Sequence, residues 1–241
     1  MKMIVFLGDS FTWGQGLPIE KWIKSDNLSI KECNNFSPPK YSCESYNYED
    51  DNYRKQNHFP NLVAKHFNKS YVTKFGNGGN NKSIIDILEN LDSHFVDDRG
   101  IDYFVIQFTD FVRDPYFNFA QDIIHEQGDS YKFEHSLERL FEDYIKTQLE
   151  LLDKLIKQRN SRWIGFSWRE DYGKILKENY PNNYIPLIHN NKSYDNFGKL
   201  VDDDLKLTLS GKWQGIRDCH LNSDGHRVIA NCIINKINPY L

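Results

Sequence analysis

A chain of 241 residues is long enough to bury the core of one α/β domain with insertions. Its formal net charge of −4, with 30 Lys and Arg against 34 Asp and Glu and no basic cluster, argues against a nucleic-acid partner. No apolar run approaches the roughly 18 residues of a membrane span, and residues 1–7 are too short for a secretory signal, so a soluble cytoplasmic protein without a membrane partner is expected.

The first element is the apolar run Met3-Ile4-Val5-Phe6-Leu7, which reads as a buried strand. It stops at Gly8-Asp9-Ser10, followed by Phe11-Thr12-Trp13-Gly14-Gln15-Gly16. In an open α/β sheet, reacting groups collect beyond the carboxyl ends of the strands, so Ser10 is a candidate nucleophile; Asp9 reads as a turn or cap residue. Residues 20–57, rich in Asn, Ser, Tyr and charge and interrupted by Pro38-Pro39, show no sustained period and are expected to be an inserted loop, either mobile or a substrate lid. A helix over residues 58–67 and a second strand over 71–75 follow, with His58 and His66 in surface or packing roles.

The turn Gly76-Asn77-Gly78-Gly79-Asn80-Asn81 precedes a helix marked by Ile84, Ile85, Ile87, Leu88 and Leu91, and its glycines free backbone N–H groups to face a ligand. Residues 102–108 are a continuous apolar run typical of a buried parallel strand, leading into Thr109-Asp110-Phe111-Val112-Arg113. Apolar residues at helical spacing over 135–158 predict a long amphipathic helix, residues 162–168 a fourth strand, and residues 184–188 a short fifth, which Pro186 places at an edge. Trp168 reads as a packing or substrate residue. Residues 189–217 form a second polar insertion in which Asp202-Asp203-Asp204 is a solvated run. Cys33, Cys43, Cys219 and Cys232 lack metal spacing and are expected as reduced thiols, although Cys33 and Cys43 could pair in an oxidising compartment.

A serine nucleophile needs a base and an orienting acid, and the last block offers two Asp-x-His units, Asp218-Cys219-His220 and Asp224-Gly225-His226, before a terminal helix. The Gly8-Asp9-Ser10 block and the late Asp218 and His220, with the continuation His220-Leu221-Asn222-x-x-Gly225-His226, strongly resemble the SGNH (GDSL) hydrolase family. The resemblance implies a three-layer α/β/α flavodoxin-like domain over residues 1–241, built on a mainly parallel five-stranded sheet. It implies Ser10 as nucleophile, His220 as base and Asp218 as its orienting acid. His226 then falls in the terminal helix in a structural role. Gly79, or next Gly78, would supply an oxyanion N–H. The family's third block carries an Asn as a further oxyanion donor. Residues 109–113 hold no Asn, so Thr109 or Arg113 would substitute, or Arg113 would bind an anionic substrate group or pair with Asp110. The implied activity is a serine esterase that needs no metal or cofactor and acts on a small-molecule or glycan ester. Aromatic residues in polar stretches such as 41–53 and 116–119 lean toward an O-acetylated sugar. An O-acyltransferase and a catalytically weak glycan-binding module are the alternatives.

Overall fold

Strand β1 (Met3–Gly8) is buried along its whole length because it has a strand on each edge and a packed core on each face. It pairs in parallel with β2 (Tyr71–Phe75) and with β3 (Ile101–Phe108), and β3 pairs in parallel with β4 (Arg162–Ser167), giving the order β2-β1-β3-β4. The computed structural model describes residues 3–25, 29, 31, 48–75, 81–90, 100–109 and 130–240. Among these the α-helices are α1 (Ser10–Trp13), α2 (Leu17–Lys24), α3 (Tyr48–Asn57), α4 (Phe59–His66), α5 (Asn81–Glu89), α6 (Ser130–Lys157), α7 (Glu170–Asn179), α8 (Phe197–Asp203), α9 (Leu209–Lys212) and α10 (Ser223–Ile237).

The period-2 alternation of the strands divides the core in two. Ile4, Phe6, Val105, Ile164 and Phe166 meet Phe59 and Val63 of α4 and Ile229 and Ile233 of α10 on one face. Met3, Val5, Leu7, Phe104 and Ile106 meet Ile84 and Leu88 of α5, Ile145 and Leu149 of α6 and Leu176 of α7 on the other. Strands covered on both faces must be apolar at every position, which explains the continuous runs in β1 and β3. The result is a mainly parallel sheet between helical layers, as the α/β reading expects. Its order is that of a flavodoxin-like sheet, whose switch point, where ligands bind, lies between β1 and β3.

The fifth position of the sheet is held by a single parallel bridge, Gly165 to Tyr184, with Ile185 N–H donating to Gly165 O at 2.8 Å. Pro186 has no N–H to continue the ladder. The chain instead turns into a separate antiparallel hairpin, β5 (Leu187–His189) with β6 (Lys192–Tyr194).

Both expected insertions are corrected by the structure. Residues 20–24 complete α2 and residues 48–57 form α3, and most of the segment expected as a loop or lid lies outside the described residues. Helix α3 escaped detection because its sequence, Tyr-Glu-Asp-Asp-Asn-Tyr-Arg-Lys-Gln-Asn, has no apolar stripe. It is tied down by charge: Asp51 pairs with Arg54 at 2.6 Å, and buried Arg54 donates to Trp13 O at 2.8 Å with its guanidinium 4.1 Å above the Trp13 ring. Segment 189–217 is likewise structured. Asn190 and Asn191, at φ 49° and 61°, form the tight turn of the β5–β6 hairpin, and Asn196 caps α8 by accepting from Lys199 N–H. Within the acidic run Asp202 and Asp203 are exposed, as a solvated reading expects, and Asp204 is half-buried. Asp203 takes Tyr194 and Lys192, and Asp204 takes His189 at 2.9 Å.

Candidate active site

Ser10 is the first residue of α1, directly beyond the carboxyl end of β1. The turn that presents it is held by a buried polar network. Asp9 caps α1, its Oδ1 accepting from Phe11 N–H at 2.9 Å. Gln107, on the neighbouring strand β3, donates through Nε2 to the same oxygen at 2.8 Å and accepts through Oε1 from the Thr12 hydroxyl at 2.6 Å. Gly14, at φ 84°, reverses the chain so that its N–H and that of Gln15 both reach Ser10 O. Ser10 is left 8% exposed, in reach of the surface but not free to reorient.

The loop before α10 brings the partners. His220 Nε2 lies 2.9 Å from Ser10 Oγ, and His220 Nδ1 lies 2.6 Å from Asp218 Oδ1, which also accepts from the His220 backbone N–H at 2.7 Å. The supposed second insertion holds this loop in place. Ser210 N–H donates to Asp218 O at 2.9 Å, Leu209 N–H donates to His220 O at 3.0 Å, and the Asn222 amide bonds Lys206 O and Thr208 O while its Oδ1 caps α10. The Phe11 ring packs 4.7 Å from the His220 ring and 4.4 Å from that of the half-buried Trp168.

Burial pushes the Asp218 carboxyl upward, but the hydrogen bond and charge of His220 and the His220 backbone N–H outweigh it, and the group rests below the ordinary carboxylate value. Asp218 is therefore ionised at neutral pH and holds the proton of His220 on Nδ1, leaving Nε2 as acceptor for the Ser10 hydroxyl. Chemically, the arrangement gives one hydroxyl an immediate proton acceptor and gives that acceptor a fixed tautomer.

The second Asp-x-His unit does not assemble. Asp224 is taken by Lys212 and Arg227, and His226 is buried with Nδ1 accepting from Phe59 N–H at 3.3 Å. Thr109 is buried at the end of β3, where its N–H donates to Asn81 Oδ1 at 2.9 Å and its carbonyl accepts from Asn81 Nδ2 at 3.2 Å. Its backbone N–H and carbonyl are thus both committed to Asn81. Gly78, Gly79 and Arg113 lie outside the described residues. Among the described residues, no group of three or more His, Cys, Asp or Glu converges as a metal site would. Cys219 is exposed and Cys232 buried, and neither is in a disulfide; Cys33 and Cys43 lie outside the described residues.

Neither known protein families nor curated protein sequences yield a match to this chain. Among solved structures it is similar to the crystal structure of an extracellular lipase from Streptomyces rimosus, with 13% sequence identity, coverage of 100% of each chain and a TM-score of 0.45. The cytoplasmic reading is corrected by this finding: the similar structure is that of an extracellular protein. No helix of the described residues is long and apolar enough to cross a membrane, which is silent about compartment.

Sequence reading missed two buried polar residues at this site, Gln107 and Glu20. Gln107 had a usable signal, being the lone amide in the apolar run of β3, and a buried polar side chain implies partners. Glu20 fell inside the segment read as a loop, although Pro18 near the start of α2 is a helix-start signal.

Proposed function

We propose that this chain is a serine ester hydrolase of the SGNH (GDSL) type, with residues 1–241 acting as one catalytic unit. The supporting observation is the unbroken chain from Ser10 Oγ through the His220 imidazole to Asp218, assembled from residues 210 positions apart in sequence. His220 Nε2 takes the Ser10 proton as Oγ bonds to the ester carbonyl carbon, and Asp218 stabilises the imidazolium that forms. The oxyanion is held by the Ser10 N–H and by the N–H of Gly79 or Gly78, with the Thr109 hydroxyl or Arg113 in place of the family's asparagine. His220 returns its proton to the leaving alkoxide, and the same histidine then activates water to release the acyl group. The substrate is a small-molecule or glycan ester, with an O-acetylated sugar favoured by the aromatic residues in polar segments of the chain.

The test is hydrolysis of p-nitrophenyl acetate and longer p-nitrophenyl esters by the protein and by Ser10→Ala, together with covalent labelling by a fluorophosphonate. Turnover should fall by about 10⁴-fold or more in Ser10→Ala, and labelling should map to Ser10. Equal turnover in both proteins, or absence of both hydrolysis and labelling in the unsubstituted protein, would overturn the proposal.

A further inference from the structure

Glu20 is 0% exposed, and a carboxylate so completely removed from water requires strong partners. It has three. Oε2 accepts from the Ser223 backbone N–H at 2.7 Å, Oε1 accepts from the Ser223 hydroxyl at 2.8 Å, and Oε1 pairs with Lys24 Nζ at 2.6 Å. Ser223 is the first residue of the fifteen-residue helix α10, so the carboxylate sits where the helix macrodipole favours negative charge.

The position of this contact matters more than its strength. Glu20 lies on α2, one tight turn after the helix that carries Ser10; Ser223 lies three residues after His220. The two segments also meet directly at Gly16, where an added Cβ would stand 2.9 Å from both His220 Cβ and Leu221 O. The loop bearing Asp218 and His220 is anchored to residues 206–210 on one side by backbone and Asn222 hydrogen bonds. Glu20 anchors the same loop to the segment that carries the nucleophile.

We infer that Glu20 is a positioning residue that sets the distance between Ser10 Oγ and His220 Nε2 by clamping α2 to the amino end of α10. The inference rests on the reading of Ser10 and His220 as nucleophile and base. Displacements of about 1 Å in such a pair are enough to reduce turnover by up to about 10²-fold. Because Glu20 acts on geometry within the enzyme and touches no substrate, the loss falls on kcat and leaves KM nearly unchanged. A glutamine there keeps one carbonyl for Ser223 N–H and an amide that the Ser223 hydroxyl can accept from, so it restores most of the function.

The experiment compares the unsubstituted protein with Glu20→Ala, Glu20→Gln and Ser223→Ala, using kcat and KM for p-nitrophenyl acetate, the melting temperature, and the downfield proton resonance of His220 Nδ1, assigned by its loss in His220→Gln. Glu20→Ala is expected to lower kcat by about 10- to 10²-fold with KM within about twofold, and to shift or broaden the resonance. Glu20→Gln should recover most of both, and Ser223→Ala should lower kcat by a few-fold. If Glu20→Ala lowers the melting temperature but leaves kcat per folded molecule and the resonance unchanged, the inference fails. Should Glu20→Ala not fold, normal kcat and an unmoved resonance in both Glu20→Gln and Ser223→Ala would overturn it. A protein that hydrolyses no ester would sink the functional reading alone, because the resonance still reports whether Glu20 places His220.

Discussion

Asp218 binds His220 twice through a single oxygen: Oδ1 accepts from the imidazole Nδ1–H at 2.6 Å and from the His220 backbone N–H at 2.7 Å. The double contact fixes both the orientation of the ring and the nitrogen that carries its proton. Asp218→Asn keeps the size of the side chain and removes the charge that selects the tautomer. We expect kcat to fall by about 10³- to 10⁴-fold with little change in melting temperature. Retention of kcat within about tenfold would show that another group orients His220.

Gln107 couples the end of β3 to the turn that presents Ser10, since its amide bonds both Asp9 and Thr12 inside the protein. Gln107→Leu leaves the Thr12 hydroxyl without its acceptor and removes one donor from Asp9. A buried polar group deprived of its partner costs about 1–3 kcal/mol, so the urea midpoint should drop by a corresponding amount and kcat should fall with it. A stability unchanged within measurement error would mean that the network is not closed in solution.

Elements whose sequence reflects a single physical demand were legible in advance. β1 and β3 are buried on both faces and therefore apolar throughout, and Ser10, Asp218 and His220, which the family resemblance picked out, are brought into hydrogen-bonding contact. Helix α3 and segment 189–217 were not legible, because their order comes from long-range partners: Arg54 needs the Trp13 carbonyl, and Asp203 needs Tyr194 and Lys192. Glu20 was hidden for the same reason, its partner Ser223 lying 203 positions away. The Asn190-Asn191 turn was different. Both residues readily adopt positive φ, and the pair was a local signal that the polar character of its surroundings obscured.

Two buried histidines should make the fold sensitive to mild acid. Burial pulls the His226 pKa down to about 3, with the nearby His220 and Arg54 acting in the same direction. Burial, then Arg54, His226 and Lys55, likewise holds His58 well below its ordinary value, although a contact with the Trp13 carbonyl works against them. Both stay neutral in the folded protein, whereas in the unfolded chain they take up protons below about pH 6.5. The unfolded state then binds more protons, so stability is full above that pH and declines as pH falls toward 3, by up to about 1.4 kcal/mol per pH unit for each histidine. The paired carboxylates Asp218 and Asp224, whose pKa values are lowered from 3.8, act in the same direction but only at and below about pH 4. Urea midpoints at pH 5 and pH 7.5 isolate the histidine contribution. The difference between them should shrink in His226→Asn, which keeps an acceptor for Phe59 N–H and does not titrate; an equal difference in both proteins would exclude His226 as the source.

Gly16 separates steric from conformational effects on the same site. Its φ of −74° and ψ of −19° are open to any residue, so Gly16→Ala introduces no backbone strain. The new Cβ would, however, stand 2.9 Å from His220 Cβ and from Leu221 O and 3.0 Å from Leu209 Cδ1, and something must move. Because Leu209 and Leu221 are fully buried whereas His220 is only partly so, we expect the His220 side chain to give way, with about 1–3 kcal/mol lost in stability and about 10- to 10²-fold in kcat. Gly100→Ala is the contrasting case: Gly100 has φ 74° and, among the described residues, no atom within 4 Å of an added Cβ, so alanine there strains the backbone without crowding any of their side chains. That variant should unfold at a lower urea concentration and hydrolyse p-nitrophenyl acetate at the unsubstituted rate. Equal kcat in Gly16→Ala and Gly100→Ala would mean that the Gly16 turn and the His220 loop can separate without loss of function.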